Sequence, residues 1–288
     1  ELGPSLKDCW SEYQDNPKLL PAFLWATFQC CIPEHYDLVN QVFERWASLP
    51  SGSSAVDQTD EITKGRVYSR IKFALTQDVT EEQSQYLIEA VERYPDLGYH
   101  LPLLLSRVPH PDAVELVVKK RGENLQEIDG MSPWATHLLD NWSPDRLRGQ
   151  DLPKDAKQRM KSNWTDENND REVRKSAFQL WARNAEIEDI DELKRASKNA
   201  LFEYPAHYYR LKLGDETAVT SPSIDIIENS GLLEALPNAW CTKAYELVDS
   251  LMSHHPFEGS DGLSHHVGSL LFQIPDDDTE NLLDKHWE

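Results

Sequence analysis

The chain has 288 residues, of which 39% are hydrophobic and nine are tryptophan, a composition typical of an ordered protein with a buried core. Its 50 acidic and 29 basic residues give a formal net charge of −21, which argues against nucleic-acid binding. No apolar run is long enough for a membrane span, and no signal-peptide pattern occurs, so we expect no membrane contact. The four cysteines lack metal-ligand spacing and indicate a reducing, cytoplasmic environment.

The N-terminal part of the chain predicts two helices followed by a loop. The helices cover residues 19–31 and 34–47. In the second, the apolar residues have the three-and-four spacing of one buried face. They are Leu38, Val39, Val42, Phe43 and Trp46. Residues 50–60 are rich in Ser and predict a flexible loop.

Four further helices are predicted before residue 121. They cover residues 62–75, 80–94, 97–107 and 112–120. The helix that begins at Thr80 has Gln83 three residues later, which is the capping-box pattern. In a capping box each of the two side chains bonds the backbone amide of the other residue, so Thr80 marks a helix start.

A short sequence motif recurs at the boundaries between helices. Three times an apolar run ends in one aliphatic residue and a proline, at Pro33, Pro109 and Pro275. Proline lacks an amide hydrogen and disfavours the α conformation in the preceding residue, so each phrase marks the end of one helix and the start of another. Pro33 and Pro109 are 76 residues apart, twice a period of 38 that fits helical-repeat proteins. The pattern predicts an all-α chain built from helix pairs.

The middle of the chain is less regular. Residues 151–170 are polar with few apolar side chains. We interpret this polar segment as an insertion, a hinge or a weak joint between two subarrays, residues 1–150 and 171–288. Helical periodicity returns after it, and the next helix pair is predicted to end at Tyr204-Pro205.

Residues 209–219 read Tyr-Arg-Leu-Lys-Leu-Gly-Asp-Glu-Thr-Ala-Val and resemble the Arg-Leu-x-Leu-Gly-Asp-x-x-Ala-Val phrase at the junction of two helices in HEAT-like repeats. Gly214 suits the left-handed conformation that ends a helix, and Asp215 suits the cap of the next one. Residues 220–223 depart from the family because Thr-Ser-Pro-Ser interrupts the second helix. The resemblance implies an all-α fold in which antiparallel helix pairs form a right-handed superhelical array. It also implies that residues 1–288 form a single HEAT-like α-solenoid domain.

One cluster of aromatic and basic residues is a candidate binding site. Aromatic rings supply contact area, and a guanidinium holds a carboxylate. The cluster consists of Tyr204, His207, Tyr208, Tyr209 and Arg210. At helical spacing the same side chains also suit a buried core, so both interpretations stay open.

A histidine-rich turn is a candidate metal site, because imidazoles and carboxylates bind zinc and similar divalent ions. The candidate ligands are His254, His255, Glu258, Asp261, His265 and His266. The alternative is a polar loop between helices, since adjacent histidines on one helix point in different directions. The chain has no His-Glu dipeptide, the feature that HEAT-like di-iron hydroxylases repeat.

The sequence contains no phosphate-binding loop, dinucleotide-binding fingerprint or nucleophile elbow, and we expect no cofactor. The favoured function is protein recognition by a scaffold or sensor, and the acidic charge favours a partner with a basic segment. The chain starts without Met and ends within a predicted helix, so we expect a piece of a larger polypeptide, for example the sensing end of a bacterial signalling ATPase. The alternative is a metal-dependent enzyme built on the histidine-rich turn.

Overall fold

A computed structural model describes residues 3–51, 62–72, 75, 79–127, 138–142, 151–153, 155–219, 231–254 and 262–286. Every regular element within these ranges is a helix, and they contain no strand. The all-α prediction is therefore confirmed for the described residues. The chain divides into two units, Glu1–Leu180 (unit 1) and Trp181–Glu288 (unit 2).

Unit 1 contains eight described α-helices and the larger part of a ninth. These are α1 (Gly3–Tyr13), α2 (Leu20–Gln29), α3 (Tyr36–Ala47), α4 (Lys64–Ile71), α5 (Glu81–Arg93), α6 (His100–Leu105), α7 (Pro111–Glu127), α8 (Ala156–Thr165) and α9 (Arg171–Arg183). Short 3-10 helices occur at Pro17–Leu19, Pro33–His35, Pro95–Leu97 and Asp140–Trp142. Successive helices pack together, including α2 with α3, α5 with α6, α6 with α7 and α7 with α8.

Unit 2 contains six described α-helices after the end of α9. These are α10 (Ile190–Ala196), α11 (Glu203–Lys212), α12 (Leu232–Ala235), α13 (Thr242–His254), α14 (Gly262–Leu271) and α15 (Asp276–His286). Short 3-10 helices occur at Ile187–Asp189, Glu216–Ala218 and Leu236–Ala239. One buried apolar cluster joins residues of α11 to α15, including Leu211, Leu232, Val248, Leu270 and Leu282.

None of the described helices combines the length and the apolar character that a membrane span needs.

The three motifs that end in proline lie at helix boundaries, as predicted. Helix α2 ends at Gln29, and Pro33 opens a 3-10 helix that leads into α3. Helix α7 begins two residues after Pro109, and α15 begins directly after Pro275. Because a proline nitrogen has no hydrogen to donate, it is tolerated at the start of a helix, where that hydrogen would have no intrahelical partner.

The apolar stripe of α3 is buried as predicted. Trp46 has no exposed surface, and its indole nitrogen donates a hydrogen bond to the carbonyl of Lys64 at 3.2 Å. The ring centroids of Trp46 and Phe43 lie 5.9 Å apart in an edge-to-face contact. Helix α3 is therefore held in the core of unit 1 by its largest side chain.

The capping box at the start of α5 is also confirmed. The Gln83 amide donates to Oγ1 of Thr80 at 3.2 Å, and the Thr80 amide donates to Oε1 of Gln83 at 2.8 Å. The side-chain amide of Gln83 also donates to the carbonyl of Phe28 at 2.8 Å. This bond holds the start of α5 against the end of α2.

The buried imidazole of His100, on α6, stacks between aromatic rings. Its ring centroid lies 5.4 Å from that of Tyr68 and 6.3 Å from that of Trp46. Within the part of the chain that the structure describes, its Nδ1 atom has no hydrogen-bond partner. Burial, and to a smaller extent the charge of Lys64, lowers the pKa of His100 from 6.5 to about 4.

Acid is therefore expected to destabilise the protein through His100. The unfolded chain binds a proton at this residue near pH 6.5, whereas the folded chain does so only near pH 4. Its contribution to stability is complete above pH 6.5 and is lost as the pH falls toward 4, by about 3 kcal/mol. Denaturant unfolding between pH 7 and pH 4 measures this loss. The His100→Phe variant keeps the stacked ring and removes the titration, so parallel pH profiles for variant and wild type would contradict the prediction.

The polar segment 151–170 contains helix α8. Three of its side chains, Ala156, Met160 and Trp164, are buried at four-residue spacing and form the packed face of the helix. The boundary between the two units lies further along the chain, after Leu180. The role of the segment as a joint stays a prediction.

Helices α7 and α9 approach each other closely at Gly122. A Cβ atom at this position would lie 2.7 Å from both the backbone nitrogen and Cγ2 of Val173. Real Cβ atoms essentially never make contacts this short, so residue 122 must be glycine for the two helices to pack at this distance. One residue earlier, the guanidinium of Arg121 donates to Oγ of Ser176 at 2.8 Å, which adds a polar bond to the same contact.

The helix end predicted at Tyr204-Pro205 is wrong, because both residues lie in the first turn of α11. A proline fits there for the same reason that it fits at other helix starts. The end of α11 follows the prediction: Gly214 has a φ of +79°, and the Asp215 carboxylate accepts a hydrogen bond from the Thr217 amide at 3.1 Å. The right-handed superhelical array stays a prediction.

Candidate functional site

A polar cleft in unit 1 is the candidate functional site. It has a volume of about 350 Å³ and lies between α7, α8 and the loop that leads into α9. The lining residues are Glu115, Val118, Lys119, Glu123, Asn163, Asn168, Asn169, Asp170 and Val173. Three carboxylates and one ammonium face this space, so the formal charge of the lining is negative.

Helix α7 forms one wall of the cleft through its four-residue spacing. Glu115, Lys119 and Glu123 are four residues apart, and side chains at this spacing share one face of an α-helix. Val118, on the same side, is buried. The wall thus presents alternating charges above an apolar base.

The loop of residues 166–170 forms the opposite wall and is fixed by its own side chains. Oδ1 of Asp166 accepts hydrogen bonds from the backbone and side-chain amides of Asn168 at 3.0 and 2.9 Å. Oδ1 of Asp170 accepts a bond from the Glu172 amide at 2.8 Å, as an N-cap residue does at a helix start. The side-chain amide of Asn169 donates to the Asn163 carbonyl at 3.0 Å.

Glu115 bonds two side chains of α8. Its two oxygens accept bonds from Asn163 at 3.3 Å and from the Arg159 guanidinium at 3.4 Å. Arg159 also pairs with Asp112. The hydrogen bond to Asp112 raises the pKa of Arg159, more than burial lowers it. Glu123 pairs with Lys120 at 2.9 Å.

The predicted aromatic and basic cluster lies on α11 in unit 2, and Arg210 belongs to a buried ion pair. The Nε atom of Arg210 donates to Oδ2 of Asp215 at 2.9 Å, and a second guanidinium nitrogen donates to Thr217 at 3.1 Å. Burial raises the pKa of Asp215, but the bonds from Thr217 and Arg210 and the charge of Lys194 outweigh it, and the pKa is lowered. Arg210 thus fixes the turn after α11.

The other members of the cluster have different surroundings. Nε2 of His207 lies 2.5 Å from the carbonyl of Ala218 and therefore carries a proton, and burial lowers the pKa of this imidazole. The rings of Tyr208 and Tyr209 meet edge to face at 4.9 Å, and Tyr208 packs against the apolar cluster of unit 2. Tyr204 is exposed at the helix start. A binding role for these five residues stays a prediction.

Most of the predicted metal site lies outside the described residues. This holds for His255, Glu258 and Asp261, and for the side chains of His254 and His265. Nδ1 of His266 lies 3.5 Å from a carboxylate oxygen of Glu234. Among the described residues, no three His, Cys, Asp or Glu side chains are placed to hold a metal ion. The metal site stays a prediction.

Sequence reasoning missed the cleft because its walls are far apart along the chain. Asn163 and Glu115, which bond across it, are 48 residues apart. Two local signals were present: the four-residue spacing of Glu115, Lys119 and Glu123, and the Asn-Asn-Asp run that ends at Asp170. Neither signal places one wall opposite the other.

Comparisons of this chain with protein-family models, with curated proteins and with solved structures gave no significant match.

Proposed function

We propose that this protein is a recognition module that binds a basic segment of a protein partner, and that the cleft of unit 1 holds this segment. The observation that carries the proposal is the cleft lining, which places three carboxylates and one ammonium around about 350 Å³. The net charge of −21 favours the same class of partner through long-range attraction.

The lining supports binding of an extended peptide with a Lys or Arg side chain. Glu123 and Asp170 supply negative charge for the cation, and Val173 contacts its aliphatic stem. The exposed side-chain amide of Asn168 bonds Asp166 through one hydrogen, and its second hydrogen and its oxygen supply a donor and an acceptor for the peptide backbone. The volume lies within the range of about 300–1,000 Å³ in which proteins bind small ligands.

The wider architecture is part of the same proposal. An all-helical chain with a Gly-Asp junction after α11 is compatible with a HEAT-like array, and such arrays present helices along an extended binding surface. In this proposal the chain is a scaffold or sensor region, for example the sensing end of a bacterial signalling ATPase, and not an enzyme.

Removal of two cleft charges is expected to weaken binding of a basic peptide. The probe is a labelled peptide of about eight residues that alternates Lys and Gly, with its affinity measured by fluorescence anisotropy. The Glu123→Gln/Asp170→Asn double variant keeps side-chain shape, and Asn still caps α9. Loss of two partly exposed charges predicts binding about five- to tenfold weaker.

The matched control is Glu188→Gln/Asp191→Asn, which removes two exposed carboxylates from unit 2. An equal loss of affinity in the control would show that only net charge attracts the peptide, and the cleft would lose its assignment. Stoichiometric zinc or iron in the purified protein, lost when the four histidines of the histidine-rich turn are replaced by Ala, would support the metal-dependent alternative instead.

A further inference from the structure

Helix α2 has no charged side chain in its ten residues, although one of its faces is exposed. Ala22, Trp25 and Gln29 are exposed at helical spacing, and the exposed Ile32 follows the helix end. We call these four residues the α2 face. A helix at a protein surface normally directs charged and polar side chains to solvent. The α2 face instead presents an indole that is 50% exposed and an isoleucine that is 44% exposed.

The opposite face of α2 is fixed in the core of unit 1. Phe23, Leu24 and Phe28 are buried, and the rings of Phe23 and Trp10 meet edge to face at 5.2 Å. Rotation of α2 to bury Trp25 would expose these side chains, so the helix is unable to hide the α2 face by itself.

Exposed apolar residues are concentrated in this part of the chain. Seven large hydrophobic side chains are exposed among the described residues, and four of them lie within the first 32 residues. These four are Tyr13, Leu19, Trp25 and Ile32. Single exposed hydrophobic residues are ordinary, whereas a contiguous apolar patch is typical of an interaction surface.

Acidic residues lie near the C-terminal end of helix α2. The bond from Gln83 to Phe28 holds the first turn of α5, with Glu81 and Glu82, at this end of α2. Glu34 follows Ile32 directly in the chain. Nε2 of His110 lies 3.0 Å from a carboxylate oxygen of Glu81. The last carbonyl groups of α2 add the negative end of the helix dipole.

We propose that the α2 face docks an amphipathic helix of a partner protein, with the apolar stripe of that helix on Trp25 and Ile32 and its Lys or Arg residues beside Glu34 and Glu82. Charge selects this occupant. A second copy of the chain brings the same acidic excess of −21, and like charges repel. This surface is distinct from the cleft, and its assignment does not depend on the cleft binding a peptide.

The test uses three synthetic peptides of about 18 residues. The first is an amphipathic helix with Leu on one face and Lys on the other. The second has the same composition in an order that destroys the apolar stripe, and the third replaces Lys by Glu. Titration calorimetry is expected to show saturable binding of the first peptide, at least tenfold tighter than the second, and no binding of the third.

The Trp25→Asp variant is expected to bind the first two peptides with equal affinity. The matched control is Phe272→Asp in unit 2, where the native ring is 93% exposed, and this variant is expected to keep the difference. The Glu123→Gln/Asp170→Asn variant of the cleft is also expected to keep this difference in affinity. Failure of the α2-face proposal can therefore be told apart from failure of the cleft proposal. Circular dichroism confirms that each variant is folded.

Three results would overturn the proposal. They are equal affinity for the Leu/Lys peptide and its reordered form, undiminished preference in Trp25→Asp, and a wild-type dimer in sedimentation that Trp25→Asp dissociates. The last result would identify a second copy of the chain as the occupant.

Discussion

Replacement of Trp46 by Ala is expected to destabilise the protein by about 3–5 kcal/mol, the range for removal of a fully buried tryptophan. The side chain has no exposed surface, and its loss leaves a cavity beside Phe43 and His100 and removes the indole hydrogen bond to the carbonyl of Lys64. Denaturant unfolding followed by circular dichroism measures the loss.

Trp25→Ala is the matched control for this measurement. The side chain is half exposed on α2, so its removal leaves no comparable cavity and is expected to cost less than about 1 kcal/mol. Similar losses in the two variants would mean that Trp46 does not anchor α3 in the core.

Replacement of Asp215 by Ala is expected to cost about 3–5 kcal/mol, because it leaves the buried Arg210 guanidinium without its carboxylate partner. The side chains of Arg210 and Asp215 are only 9% and 6% exposed. The same variant removes the cap of the 3-10 helix Glu216–Ala218. Thermal unfolding of the variant and wild type provides the comparison.

Asp215→Asn separates the charge from the cap. Asn keeps an oxygen that accepts the Thr217 amide, so this variant is expected to lose less stability than Asp215→Ala. Because the folded-state pKa of Asp215 is lowered, the charge contributes fully above the unfolded pKa of 3.8 and its contribution is lost as the pH falls below that value. The difference between wild type and Asp215→Asn should therefore be full at pH 7 and shrink in acid. If the stability difference between wild type and Asp215→Asn does not change with pH, the loss comes from the shape of the side chain and not from its charge.

Helix boundaries were predictable where one residue type has a local physical effect. Pro33, Thr80 and Gly214 act through a missing amide hydrogen, a side-chain cap and a positive φ, and each works within a few residues of chain. Pro205 shows the limit of such signals, because a proline fits at the first turn of a helix as well as after a helix end.

Tertiary juxtaposition was not predictable in this way. The cleft depends on the approach of α8 and the 166–170 loop to α7, and no local pattern encodes that approach. In the same way, the many polar residues around Met160 and Trp164 gave no sequence signal for α8, a helix with a buried face. Local chemistry thus predicted where helices begin and end, whereas the packing of distant helices created the candidate site.

Gly122 makes the width of the cleft adjustable without any change in its lining. A methyl group at residue 122 would act as a wedge against Val173 and move the start of α9, with Asp170 just before it, away from α7. A substitution at Glu123 or Asp170 instead changes charge at constant width. In the proposed binding cleft, width and lining charge are therefore set by different residues: Gly122 sets the width, and Glu123 and Asp170 contribute the charge.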